Sequence, residues 1–195
     1  MPVVFDVGKV LVDFSFTEFQ NFLIENGAEL KGTQEFIERT SLYDFEKGFI
    51  NEAQYLYLVN SILKKKLLNT EIKNKWENIF IPIERMINFA KEVSEKTPTY
   101  LLSNTNPTHW AYLEKNYGIT DFVQGFLTSH DAGAMKPENK IYGTFIEKFD
   151  LIPEELIFID DLEANILAAK ELGWNVVHHV DIDRTIEEVR EFIKF

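Results

Sequence analysis

Hydrophobic and polar positions change their period twice along this chain. Val3-Val4-Phe5 is a short apolar run rich in β-branched residues, closed by Asp6, and it reads as a buried strand. Gly8 lets the chain turn close beside that strand end. The pattern then becomes helical. Ser15-x-x-Glu18 reads as a capping box for a helix reaching about Gly27. Thr33 to Phe45 predicts a second helix, Asn51-x-x-Gln54 opens a third, and Thr70 to Ile79 predicts a fourth. No strand pattern appears between Asp13 and Ile83, and Pro82 marks a boundary.

From Ile83 onward strands and helices alternate. A helix is predicted from Ile83 to Lys96 and a strand over Thr99–Ser103. The next helix starts at Pro107 with Asn106 as its cap and ends near Gly118. Phe122 to Thr128 is a weaker strand, and Pro137 opens a helix to Phe149. Leu156 to Asp160 is a strand, Glu163 to Leu172 a helix ended by Gly173, Asn175 to Val180 a strand, and Thr185 to Lys194 a last helix. This alternation predicts an α/β fold with a parallel sheet and right-handed crossovers. Residues 1–13 and 83–195 form its core, and residues 14–82 form a helical insertion after the first strand.

Composition narrows the possible partners. The 195 residues carry a net charge of −12, which repels nucleic acid and anionic membranes. A bound phosphate must therefore be met by local positive groups or a metal. Seventeen phenylalanines can fill a sizeable core. The chain has no cysteine, hence no disulfide, which suits the cytoplasm. Asp6 and Asp13 interrupt the first apolar run, so no signal peptide is expected, and no apolar window is long enough to span a membrane. Lys64-Lys65-Lys66 reads as a solvated helix face.

Four polar stretches follow apolar strands or open helices: Asp6-x-Gly8, Ser103-Asn104-Thr105-Asn106, Lys136-Pro137 and Asp160-Asp161. In an open parallel sheet, strand ends of this kind face one edge, where ligands bind. Clustered carboxylates repel unless a hard cation holds them, and an all-oxygen set favours Mg²⁺. A lysine beside them is a point charge for a phosphate oxygen, and a serine hydroxyl with backbone N–H groups completes an anion cradle.

Phe5-Asp6-Val7-Gly8-Lys9-Val10-Leu11, Leu101-Leu102-Ser103-Asn104-Thr105-Asn106, Met135-Lys136-Pro137 and Phe158-Ile159-Asp160-Asp161 resemble, in order and spacing, the four motifs of the haloacid dehalogenase-like hydrolase superfamily. The branch most similar contains sugar 1-phosphate phosphatases and the phosphatase domain of epoxide hydrolases. The resemblance implies a Rossmann-like doubly wound core, with residues 14–82 as its helical cap domain. It implies a Mg²⁺-dependent phosphatase of a small phosphomonoester, a sugar phosphate, working as a monomer or homodimer. Asp6 would be the nucleophile and form an aspartyl-phosphate. Ser103 and Asn104 would hold the transferring phosphoryl group. Lys136 would neutralise phosphate charge and restrain Asp6. Asp161 would bind Mg²⁺ with Asp6 and the Gly8 carbonyl, supported by Asp160 and Asn165.

One departure matters. Most phosphatases of this superfamily carry a second aspartate two residues after the nucleophile, as general acid and base; here that residue is Gly8. A missing general acid typically costs about 10²–10⁴-fold. Three consequences are open: a preference for a good leaving group, such as an anomeric phosphate, which is the one favoured; another residue that supplies the proton; or a loss of activity. His109 could approach the substrate from the helix after Ser103, and Glu46-Lys47-Gly48 could reach it from the cap. His178-His179 read as structural, since neighbouring strand residues face opposite sides of a sheet. A 2-haloacid dehalogenase, with Arg39 on the halide, is a second reading that the Asp160-Asp161 pair opposes. A non-catalytic phospho-ligand-binding module is a third. A magnesium requirement separates the first two.

Overall fold

The computed structural model describes residues 1–194; residue 195, the last of the expected core segment, lies outside them. The strands are β1 (Val3–Phe5), β2 (Val12–Phe14), β3 (Phe80–Pro82), β4 (Thr99–Ser103), β5 (Gly125–Thr128), β6 (Ile157–Asp160) and β7 (Asn175–His178). The insertion carries α1 (Thr17–Glu25), α2 (Thr33–Thr40), α3 (Leu42–Glu46), α4 (Glu52–Ser61) and α5 (Asn69–Glu77). The core carries α6 (Glu84–Ser94), α7 (Pro107–Tyr117), α8 (Ser129–Ala132), α9 (Asn139–Phe149), α10 (Glu163–Glu171) and α11 (Ile182–Ile193).

Five strands form one parallel sheet in the order β5-β4-β1-β6-β7. β1 lies at its centre, with both faces covered, which is why Val3, Val4 and Phe5 are all apolar and all buried. Alternation sorts them. Val3 and Phe5 join Leu101, Ile157 and Ile159 in one cluster, where Met86 of α6 and Val189 of α11 pack. Val4 joins Leu102 and Phe158 in the other, against Tyr142 and Phe145 of α9 and Ala169 of α10. The sheet is thus wound on both faces. Helices α1 to α5 enclose a third cluster of their own around Trp76. The Trp76 ring lies 4.9 Å from that of Phe19, 5.3 Å from Tyr55 and, across to α7, 4.1 Å from His109. Among the described residues no helix is long and apolar enough to cross a membrane.

Several local expectations need correction. β2 and β3 pair antiparallel, with Val12 opposite Pro82 and Phe14 opposite Phe80, so the chain leaves and re-enters the core through a ribbon. Three-residue strands are too short to show alternation, and Pro82 is tolerated because it ends an edge. The helix expected over Thr33–Phe45 is two, broken where Ser41 turns left-handed at φ 50°, with no glycine to signal it. Ser15 does not form a capping box; its hydroxyl accepts from Thr17 N–H at 3.2 Å and α1 starts without a side-chain cap. Asn51 and Gln54 do cap each other, at 3.0 and 2.8 Å. α9 starts at Asn139 after a cis Lys136–Pro137 bond, α11 starts at Ile182 under an Asp181 cap, and α8 had no counterpart in the pattern.

Candidate active site

The sheet register sets the chemistry at one edge. Phe5 pairs with Leu101 on one side and Ile159 on the other, so Asp6 emerges level with the ends of β4 and β6. Its N–H donates to the Ile159 carbonyl at 2.9 Å, which ties this residue to the sheet. The Asp6 carboxylate accepts from Val7 N–H at 2.6 Å and pairs with Lys136 Nζ at 2.8 Å. Lys136 Nζ also donates to Asp160 Oδ2 at 2.7 Å and to the Leu102 carbonyl at 2.9 Å. Its three protons are thus all directed, and its side chain is fully buried.

Asn104 explains how Lys136 is held there. Its Nδ2 donates to the Lys136 carbonyl and its Oδ1 accepts from Lys136 N–H, both at 2.8 Å. The amide of Asn104 is therefore spent on the Lys136 backbone rather than left facing a ligand. Ser103 is buried beside it, and its hydroxyl makes no hydrogen bond among the described residues. It shares a small cavity with Gly8, Asn104 and Thr105.

The electrostatics follow from this packing. Burial pushes the Asp6 carboxyl well up; the Lys136 ammonium opposes that and the Asp160 charge adds to it. Burial alone would lower Lys136, but Asp160 and Asp6 outweigh it and hold the ammonium above its ordinary value. Asp161 is raised by burial and then by Asp160. Asp6, Asp160 and Asp161 each offer an oxygen, and these lie within 4.8 Å of one another. Such a set is unfavourable without a cation between its members.

Asp160 is the least available of the three. Besides Lys136, it accepts from Leu162 N–H at 2.9 Å and from Asn165 Nδ2 at 2.9 Å. Asn165 Oδ1 is buried with no hydrogen-bond partner among the described residues. Asp6, Gly8, Lys136, Asp161 and Asn165 line one cavity of about 280 Å³. His178 Nε2 meets the Asp161 carbonyl at 2.9 Å, and His179 Nδ1 meets Thr185 Oγ1 at 2.8 Å, so both act on the scaffold.

Two residues that could serve as ligands are placed otherwise, and Arg39 is the helix arginine that its sequence context favours. His109 lines the cavity beside Ser103, but its ring is fully engaged: Nε2 with the Trp76 carbonyl at 2.9 Å and Nδ1 with Asn106 Nδ2 at 3.1 Å. Burial lowers its pKa to about 3, so it is neutral, and its ring joins α7 to Trp76 of α5. Arg39 donates to the Glu29 carbonyl at 2.6 Å and lines a separate cleft with Gly27, Lys31 and Lys64, away from Asp6. Lys64 pairs at the surface with Glu29.

Other residues were not singled out for this edge by sequence. Lys9, in left-handed conformation, lines the cavity and pairs with Asp13. Phe14 and Phe16 wall a cleft of about 510 Å³, shared with Glu46 and Lys47 at the end of α3 and with Asn104 and Lys136. Ser129 joins the two sides, through Thr105 N–H at 2.9 Å and the Glu46 carbonyl at 2.5 Å. Of these, the sequence marks only the polar Glu46-Lys47-Gly48 turn.

Known proteins match this arrangement. The model of the haloacid dehalogenase-like hydrolases matches residues 3–173. A D-ribitol-5-phosphate phosphatase of Bacteroides thetaiotaomicron is 26% identical over 181 residues, 88% of each chain. The sesquiterpene phosphatase astK of Aspergillus oryzae is 24% identical, over 97% of this chain and 95% of its own. A HAD family enzyme of B. thetaiotaomicron, crystallised with magnesium and inorganic phosphate, superposes with a TM-score of 0.80 at 25% identity, over 91% of this chain and 92% of its own. With its four motifs gathered at one sheet edge and the family match running through them, the chain belongs to the haloacid dehalogenase-like hydrolases.

Proposed function

We propose that this protein is a Mg²⁺-dependent phosphatase acting on a small sugar or sugar-alcohol phosphate through an aspartyl-phosphate on Asp6. The observation that carries the reading is the Asp6–Lys136 pair, opening with Asp161 into one cavity. Asp6 presents a carboxylate at the mouth of the sheet, where it can attack phosphorus. Lys136 holds it in place and offers charge to the phosphate oxygens. The Ser103 hydroxyl is left to donate to the same group.

The residues present suit a magnesium ion. The donors are all oxygens, two of the three carboxyls are pushed up, first by burial and then by the charge of Asp160, and Asn165 Oδ1 is a buried acceptor without a partner. Asp6, Asp161 and the Gly8 carbonyl would hold it, with Asp160 and Asn165 in support. When bound, it would offset the charge of the carboxylates and of the phosphate. The relative's activity on D-ribitol 5-phosphate, and the magnesium and phosphate of the structural relative, support this reading. The position of Arg39 supports a phosphatase over a dehalogenase, because no cap arginine seen here reaches Asp6.

The test is phosphate release from a panel of sugar and polyol phosphates, with Mg²⁺ and with EDTA. Turnover of at least one of them, only with the metal, is expected. Halide release from a 2-haloacid without metal would overturn the reading.

A further inference from the structure

Gly8 stands where a general acid would be needed, and it has no side chain to supply one. A Cβ on Gly8 would lie 3.0 Å from Phe14 Cε1, so the aromatic ring occupies the space. The proton has to come from elsewhere around the same cavity. Asp6, Asp160 and Lys136 are locked to one another, His109 is neutral with both nitrogens engaged, and Asp161 lies in the acidic trio.

Glu46 remains. It ends α3 and lines both the small cavity with Gly8, Ser103 and Thr105 and the larger cleft with Asn104 and Lys136. Its place is fixed through its backbone and its neighbours. Ser129 Oγ donates to its carbonyl at 2.5 Å, Lys47 pairs with Glu138 at 2.7 Å, and Gly48 packs so closely that a Cβ would fall 2.4 Å from the His130 carbonyl oxygen. The side chain has no such tie. Its carboxyl makes no hydrogen bond or ion pair among the described residues, and the rings of Phe14 and Phe16 wall the same cavity. Burial raises its pKa to about 7, where a carboxyl can both give and take a proton at neutral pH.

We propose that Glu46 of the cap is the catalytic acid and base of this enzyme, doing from above what Gly8 cannot do from below. The proposal rests on the phosphatase reading. In the first step an Asp6 oxygen bonds to phosphorus while the bond from phosphorus to the substrate oxygen breaks. The electron pair stays on the leaving oxygen, which takes the Glu46 proton and departs as an alcohol. In the second step a water oxygen bonds to phosphorus and the Asp6–phosphorus link breaks. Glu46 takes a proton from that water, phosphate leaves, and both carboxyl groups return to their starting state. With an acid present, a preference for an anomeric phosphate no longer follows from Gly8, and an unactivated primary alkyl phosphate becomes a competent substrate.

The experiment compares native protein, Glu46→Gln and Asp6→Asn on two substrates with Mg²⁺: p-nitrophenyl phosphate, whose leaving group needs little help, and ribitol 5-phosphate. Glu46→Gln leaves the carbonyl tie to Ser129 in place. It is expected to lose about 10²–10⁴-fold in kcat/KM on the alkyl phosphate and distinctly less on the aryl one. Asp6→Asn is expected to lose both. A variant that is merely part-folded loses both in proportion, so a proportional loss, or no loss, in Glu46→Gln overturns the proposal while leaving the phosphatase reading intact. Native protein without metal-dependent turnover of either substrate overturns both.

Discussion

Phe14 fills the space above Gly8: a Cβ added there would lie 3.0 Å from the ring. The residue that departs from the superfamily pattern is thus matched by a side chain six positions later, which belongs to the ribbon leading into the cap.

That match predicts coupling. Gly8→Ala forces the ring aside and is expected to cost about 1–3 kcal/mol, as overpacking does. Phe14→Ala should remove much of that cost, so the double variant is more stable than the sum of the singles by about 0.5–3 kcal/mol. Denaturant unfolding of the four proteins measures this. Strict additivity would show that the two positions do not compete for space. Gly8→Asp in the native background is expected to lower turnover, and to gain from Phe14→Ala.

Lys136 is held between two buried carboxylates. Lys136→Met keeps length but leaves Asp6 and Asp160 uncompensated, at a cost of about 3–5 kcal/mol. Phosphate affinity should fall with it, because Lys136 is the positive side chain paired with Asp6 at the cavity. A stability within about 0.5 kcal/mol of native, with phosphate binding retained, would contradict this role.

The half-buried Glu46 carboxyl carries a pH signature. Its acid form is needed to release an alkyl leaving group, so kcat/KM on ribitol 5-phosphate should fall as pH rises through about 7. Tyr55 lies close to it and is held neutral by burial; Lys47, Lys136 and Glu138 line the same cleft, with Lys47 paired to Glu138, and His109 lines the small cavity. Stability has the same sign. A carboxyl whose pKa is raised by folding favours the folded state at low pH, and that contribution is lost as pH rises from the ordinary carboxylate range through about 7. Glu46→Gln should flatten both profiles. An unchanged limb in the variant would assign it to another group.

Metal binding should be visible without any substrate. Mg²⁺ bound to the folded chain alone raises its stability, by about 2.7 kcal/mol at one hundred times the dissociation constant. Asp161→Asn is expected to remove most of the rise in Tm that Mg²⁺ produces. An equal rise in native and variant would place the ion elsewhere.

The catalytic edge was legible in the sequence because each of its motifs follows an apolar strand. Asp6 closes β1, Ser103 ends β4 and Asp160 ends β6, and parallel pairing brings such ends together. What could not be read are contacts made across the fold. Asn104 carries the motif of a phosphate ligand yet turns its amide to the Lys136 backbone, 32 residues on. Ser129 and Glu46 meet across 83 residues, and nothing local to either marks the pairing. His109 opens a helix pointed toward the site, but Trp76 of the cap takes its ring. The break at Ser41 is silent in the sequence, because a left-handed serine has no signature of its own.

The most direct test of this account is phosphate release by native protein and Asp6→Asn, each with Mg²⁺ and with EDTA. Native protein with Mg²⁺ should turn over ribitol 5-phosphate; EDTA should silence it, and Asp6→Asn should be inactive although folded. Full turnover by the Asn variant, or by the native protein stripped of metal, would contradict the account.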